Sequence, residues 1–421
     1  MSHVFTTPPP SASRAPQAAQ TTRAPQTPPL RPHTAWGRSV GIAVGAALVV
    51  ALIVLAFVWP TVTSSVKNIP IAVAGTSQQV TAVTDALNRA ADGAFTVTPV
   101  ADRQAAVDLI DTRDVYGAIV LGDASAGGSA GSSAVGAGTG SGTTTGPEIL
   151  TASANGVAVS QVLAQLAAPI QSQANAAAQA AVAAAVASGA APAGTTAPAI
   201  SVTVTDVVAL ASTDARGLGL TAAAFPLVLG GILGGVLVSL LITGVWRRLT
   251  SVLVYAVVAG LAVAVVMQPL FGILQGSFWI NALAIMLAMA ATSSFVVGAN
   301  ALLGRAGIAV GSVLTMLIGN PLSSAAQPLQ FTVAPWGAVG QWFVPGASST
   351  LIRDLSYFPA ANTAFPWLVL AGWTALGVAG MIAGHWRNQR VIRSLPVEED
   401  ARHAATHAAP HGADAAVPRP A

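Results

Sequence analysis

Few residues in this chain have the type and spacing to do chemistry. His403, His407 and His411 recur at i, i+4 and i+8, which would align three imidazoles on one helix face for a metal. Pro410 interrupts the third position, and the segment around it is rich in Ala, Pro and acids. A bland tail is the better reading, because ligand spacing without a fold and supporting hydrogen bonds seldom makes a site. Lys67 is the only lysine, so a phosphate loop of the G-x-x-x-x-G-K-[ST] type is absent. Cysteine is absent as well. That removes disulfides, thiolate metal sites, Cys nucleophiles and lipid attachment through Cys together. No nucleophile with a neighbouring base stands out elsewhere, so the sequence reads as a non-enzyme without catalytic, cofactor or metal residues of its own.

The remaining polar side chains of interest lie in a long apolar block. Gln268, Gln275, Asn281, Asn300 and Asn320 are spread through it, and Asn320 is followed by Pro321. The first four are candidates to line a path for an amphipathic compound. Equally, they could be interhelical hydrogen bonds, which are common in membrane bundles and worth about 1 kcal/mol each. Asn320-Pro321 has the chemistry of a hinge and, with Pro345 and Gly346, is a candidate outer gate.

The block that holds these residues runs from Arg216 to Trp386 and contains no carboxylate between Asp214 and Asp354. Its full charges there are Arg216, Arg247, Arg248, Arg305 and Arg353, each where a hydrophobic run begins or ends. A charge near the bilayer centre costs several kcal/mol and one at the interface costs little, so this is the pattern of a helix bundle solvated by lipid. A hydrophobic fraction of 53% against 8% charged residues agrees, as does a mean hydropathy of +0.66. Proton-driven transport generally needs a titratable group inside the membrane. Between Asp214 and Asp354 the block offers no Asp, Glu or Lys for it, and His385 comes only at the end of the last span.

The sequence predicts a mainly α-helical polytopic membrane protein with about six transmembrane helices, both termini inside, and a small α/β extracytoplasmic domain between helices 1 and 2. Residues 1–33, rich in Pro, Ala, Thr and Gln, read as a disordered cytoplasmic arm. Residues 41–59 form the first span, with Arg31 and Arg38 before it. Residues 61–217 alternate strand and helix patterns, interrupted by a flexible Gly/Ser/Thr loop at 122–146. Five further spans fit 219–245, 251–271, 278–300, 306–320 and 365–386 within a membrane domain over 218–386. Residues 394–421 read as a disordered cytoplasmic tail. Gly230, Gly231, Gly234 and Gly235 make two overlapping small-x-x-x-small pairs suited to close helix packing.

Residues 319–364 differ in kind. They are apolar enough for membrane depth yet broken by Pro321, Pro328, Pro335 and Pro345. Non-helical backbone at that depth is tolerated only when buried in protein or lining a cavity. The pattern predicts a broken outer hairpin of short re-entrant or interfacial helices, with Trp336, Trp342 and Phe343 suited to the interface.

The strand VTVTDVVAL leading into Asp214-Ala215-Arg216-Gly217, the GNPLSS turn and the PWGAVGQWFVPGA segment resemble actinobacterial membrane proteins of the type-2 ABC exporter permease class. The likeness extends to the phage-infection-protein-like branch, which has one helix, a large external domain and then five helices. It covers most of residues 36–393, and Ile69 to Val73 matches the strand that opens the external domain. A departure comes at Ala74-Gly75-Thr76-Ser77, where the resembled proteins carry a more polar, often acidic continuation. The resemblance implies a permease-like subunit of the plasma (inner) membrane. It would work as a homodimer or heterodimer within the lipid bilayer and export a lipid-like or drug-like compound with ATP hydrolysed by a separate cytoplasmic ATPase subunit. Candidate docking residues for that subunit are Trp246, Arg247, Arg248 and Arg305, although plain topology and phospholipid contact account for the arginines too. The alternative is a non-transporting envelope protein whose external domain binds a surface partner or phage. Nucleic acid is not an expected partner.

Overall fold

The computed structural model describes residues 36–121, 146–197 and 199–394. The expected N-terminal arm, nearly all of the 122–146 tract, and the tail with His403, His407 and His411 lie outside the described residues. The chain falls into two compact units, one ending at Leu52 and one starting at Ile53. Helix α1, Trp36–Val62, crosses that boundary. The sheet and all the later helices belong to the second unit.

Strands β1 (Ile69–Ala74), β2 (Phe95–Val100), β3 (Gly117–Val120), β4 (Glu148–Thr151) and β5 (Thr203–Asp206) form one sheet in the order β2-β1-β3-β4-β5. All neighbours are parallel except β3 and β4. Helices α2 (Ser77–Ala90), α3 (Arg103–Asp111), α4 (Val157–Gln165) and α5 (Ala167–Ala187) connect the strands. Alternation along β1 separates two cores. Ile69, Ile71 and Val73 join Val80 and Leu87 of α2 and Val159 and Leu163 of α4, whereas Ala72 joins Ala106 and Ile110 of α3. Helix α2 starts in a capping box, in which Thr76 and Gln79 satisfy each other's backbone amides. The alanine-rich stretch after β4 runs as two helices, α4 and α5, divided at Leu166. Of the strand pattern VTVTDVVAL, only Thr203 to Asp206 pairs with β4 as regular strand, and Val207 still donates to the Thr151 carbonyl at 2.9 Å.

The apolar block gives five helical segments long and apolar enough to cross a membrane: Leu218–Leu241, Val245–Leu270, Phe278–Leu303, Arg305–Leu322 and Ala364–Arg387. The chain is therefore a helical, multi-pass membrane protein. Helices α6 (Leu218–Leu241) and α7 (Val245–Val265) are joined by a tight reversal at 242–244. Gly244 takes φ +88° there, a conformation that glycine adopts without a Cβ penalty. The loop expected at 246–250 is thus the first turn of α7. Helix α8 (Phe278–Leu303) is the most buried of the five spans. Gly231 and Gly235 of α6 lie against it, where an added Cβ would come within 2.6 Å of Thr292 and 2.8 Å of Val296. Tyr255 of α7 occupies the space beside Gly234 and donates to the Gly230 carbonyl at 2.5 Å. The close approach expected of the glycine pairs therefore serves two different neighbours.

Helix α9 (Arg305–Val313) widens into a π turn over Leu314–Gly319 and ends in α10 (Asn320–Leu322). A second π turn covers Val266–Leu270 at the end of α7. A proline follows or lies inside each of them, Pro321 and Pro269 respectively. The pyrrolidine ring crowds the carbonyl four residues back and supplies no N–H, and the extra residue of a π turn relieves both. The broken segment continues through a 3₁₀ turn at Leu329–Phe331, α11 (Trp336–Gly340) and α12 (Val344–Tyr357) before α13 (Ala364–Ser394). One buried apolar cluster runs without interruption from Ala72, Ile110 and Leu150 beside the sheet to Leu220, Ile285, Leu351 and Phe358 in the helices.

Candidate functional site

The most elaborate polar arrangement lies where the sheet meets the broken segment. Arg113 follows α3 and holds φ +65°, an uncommon conformation for a residue with a Cβ. Held there, its guanidinium pairs through Nη1 with Asp354 Oδ1 on α12. Its Nε donates to Asn155 Oδ1 at 3.0 Å, and its Cζ stands 5.3 Å from the Phe358 ring centroid. Asn155 in turn donates to the Val115 carbonyl at 3.3 Å. Tyr116 donates from its hydroxyl to Gln330 Oε1 at 2.8 Å. Side-chain links from Arg113 and Tyr116 thus join the α/β region to the broken segment.

Beside this pair stands Arg353. One of its amino groups donates to the Ala325 carbonyl at 3.0 Å, and its Nε is shut off from solvent with no acceptor among the described residues. Burial pulls its guanidinium down to about 10, and the neighbouring Arg113 charge acts in the same direction. The Asp354 carboxyl is pushed above the usual range by burial, against the opposing effect of Arg113. Asp354 is therefore paired with Arg113, and Arg353 stands in the same poorly solvated place with no ion pair of its own among the described residues. Tyr357, at the end of α12, donates to the Ile273 carbonyl at 2.5 Å and so ties the same helix to the α7–α8 turn.

Asp214 closes the other side. Its two carboxylate oxygens accept from the amides of Gly219 and Leu220, each at 2.9 Å, satisfying the first turn of α6. A cavity of about 300 Å³ opens between this turn, the start of α4 and residues 326–328, with Arg216 and Arg353 in its wall. A second cavity of about 310 Å³ is lined by Arg113, Asp354, Gln330 and Arg353.

The residues singled out in the sequence fall into three places. Gln268, Gln275 and Asn281 come together at the α7–α8 turn. There, Asn281 donates to Gln268 Oε1 at 2.9 Å and to the Gln275 carbonyl at 2.7 Å, and Gln268 donates to the Gly276 carbonyl at 2.9 Å. Asn300 stands apart, 19 residues along α8 from Asn281, about 28 Å of helix. Asn320 and Pro321 border a cavity of about 230 Å³ with Phe57 and Phe225. The Gly319 backbone just before them abuts Pro345, while Gly346 packs on the Gly340 carbonyl, so Pro345 and Gly346 are buried near the crossing and Asn320 and Pro321 are half-buried beside it. Trp246 and Arg247 are exposed at the start of α7, and Arg305 is exposed at the start of α9. Arg248 instead reaches back to the Ile242 and Ser239 carbonyls, at 2.7 and 3.1 Å, and caps the end of α6.

Arg113, Asn155, Tyr116 and Asp354 were not singled out by their sequence context. Their only visible signal was Asp354 itself, the acid that ends a long carboxylate-free stretch. No family model, curated protein or solved structure matches this chain.

Proposed function

We propose that this chain is the permease-like subunit of an exporter that moves a lipid-like or drug-like compound outward, with ATP hydrolysed by a separate cytoplasmic subunit. In this reading α1 is a sixth span, both termini are cytoplasmic, and the sheet domain between the first two spans is extracytoplasmic. The observation that carries the reading is the direct attachment of that domain to the proline-broken segment. The Arg113–Asp354 pair and the Tyr116–Gln330 bond sit on a continuous apolar core that runs into the spans. A movement of α12 would be passed to the domain without a slack linker, as a coupled gate requires and a simple anchor does not. Two π turns next to prolines supply places where span geometry can change. The carboxylate-free stretch turns the energy source away from protons and toward a partner. Exposed Trp246, Arg247 and Arg305 are the docking residues of this proposal.

The test is recovery of the tagged chain from native membranes after mild crosslinking. The expected outcome is a co-purifying ATPase that carries a phosphate loop and loses association when Trp246 and Arg247 are replaced by Ala. Recovery of the intact chain with no nucleotide-hydrolysing partner would sink the exporter reading. A second reading, an envelope protein that binds a surface partner, is favoured by one observation: none of the 21 residues of α5 is buried. Deleting α5 would then abolish surface binding while leaving export of hydrophobic dyes unchanged.

A further inference from the structure

Three cavities meet along α6. The one between the starts of α4 and α6 shares Thr221, Ala326 and Gln327 with the groove beneath it, and it shares Leu220 and Arg353 with a smaller void against Met267 and Ile352. The upper cavity, about 300 Å³, is at the lower end of the range for small-molecule sites, roughly 300–1,000 Å³. Arg216, Arg353, Gln161 and Gln327 are among the residues that line it, and no Asp or Glu is. The adjoining acids are already engaged, Asp354 by Arg113 and Asp214 by the first amides of α6. The first turn of α4 also faces the cavity through Val157 and Ala158, and no side chain caps it. Its free amides add to the positive potential. Below, the groove is lined by Phe57, Ala224, Phe225 and Pro321 together with the polar Asn320 and Ser323.

We propose that the upper cavity holds the phosphate or carboxylate head of an anionic lipid and that its acyl chain lies in the groove along α6. The charge balance supports this, since Arg216 and Arg353 line a volume with no carboxylate in its wall, Arg353 makes no ion pair among the described residues, and a poorly solvated cation is costly until an anion arrives. Continuity supports it too, because the two volumes meet at Thr221 and Ala326, and Phe57, Ala224 and Phe225 give an acyl chain apolar side chains to lie against. Arg353 is the residue that joins the site to the Arg113–Asp354 pair, so an anion on Arg353 would change the field at the contact between the α/β region and α12. The proposal deepens the exporter reading by naming the class of compound it carries. It can fail separately, because binding needs neither nucleotide nor partner.

The test is equilibrium binding to the full chain in a nonionic detergent, with dioctanoyl phosphatidic acid, dioctanoyl phosphatidylcholine and inorganic phosphate as probes. Saturable binding of phosphatidic acid is expected, weaker by about tenfold or more in Arg216→Gln and in Arg353→Gln, as loss of a charge-assisted bond implies. Arg216 is exposed and makes no side-chain hydrogen bond among the described residues, so its variant tests the site even if the Arg353 variant does not fold. Ala224→Trp, which fills the groove, should weaken phosphatidic acid and leave inorganic phosphate unchanged. Equal binding of phosphatidylcholine, equal binding of inorganic phosphate, or phosphatidic acid binding unaffected by both Arg216→Gln and Ala224→Trp would overturn the proposal. The assay contains no ATPase, so its result stands whether or not a partner ATPase is recovered.

Discussion

At the residue scale, the Arg113–Asp354 pair is the main polar link between the α/β region and α12, and its energetics are not those of a surface salt bridge. The Asp354 side chain is 5% exposed and that of Arg113 17%. Removing one partner leaves a charge in a place that has been stripped of water, which costs about 3–5 kcal/mol, whereas replacing both with apolar groups is often neutral. Asp354→Leu and Arg113→Met should therefore each lower the thermal midpoint sharply, and the double variant should recover most of the loss. A double-mutant cycle by thermal unfolding in detergent measures this. Simple additivity of the two losses would mean that the pair does not act as a unit. The exposed pair between Arg103 and Glu148, at 2.7 Å, is the contrast. Its Glu148 carboxyl is held below the usual range by the Arg103 hydrogen bond, yet the Arg103 side chain is 48% exposed and solvent takes up most of the gain.

At the element scale, the spans are held by small residues that let backbones touch. Gly377 of α13 lies on the Ser294 and Phe295 backbone of α8, and Gly298 returns the contact. Gly372, on the same helix, has nothing within 4 Å of a prospective Cβ. The two glycines should therefore respond oppositely to the same substitution. Gly377→Ala forces the helices apart and should cost about 1–3 kcal/mol. Gly372→Ala meets no neighbour and should gain up to about 1 kcal/mol from helix propensity. Unfolding titrations of both variants in mixed micelles decide the matter, and equal responses would refute the close backbone packing of α8 on α13. Element ends were less legible in the sequence. The α6–α7 reversal is expected at 246–250 because the arginines mark an interface. Gly244 and the reach of Arg248 back to Ile242 put it at 242–244, since a long arginine can sit in a helix and still cap its predecessor.

At the scale of the whole molecule, the proposed topology has a direct test. The chain has no native cysteine, so single introduced thiols can be read without background. Lys67 and Arg247 are both exposed and stand at opposite ends of the proposed arrangement. Lys67→Cys should react with a membrane-impermeant maleimide in intact cells, and Arg247→Cys should react only after the membrane is opened. Labelling of both from the same side would overturn the arrangement of the spans.

What the sequence determined by itself was the apolar scaffold. The five spans of the apolar block and their approximate limits follow from local quantities, the length of apolar runs and the position of charges, which bilayer thickness and the cost of burying charge translate into helices. The strand and helix alternation from Ile69 to Asp206 was legible for the same reason, because periodicity is a property of neighbours in sequence. The functional arrangement was not local. Arg113 and Asp354 are 241 positions apart, and neither has a pattern around it that announces a partner. Gln268, Gln275 and Asn281 looked like separate polar residues along a path until the α7–α8 turn gathered them into one hydrogen-bonded group. Only the tertiary structure could decide which arginine is matched by an acid and which is left facing a cavity. Charge compensation depends on distances across the fold and on exclusion of water, and one-dimensional spacing encodes neither.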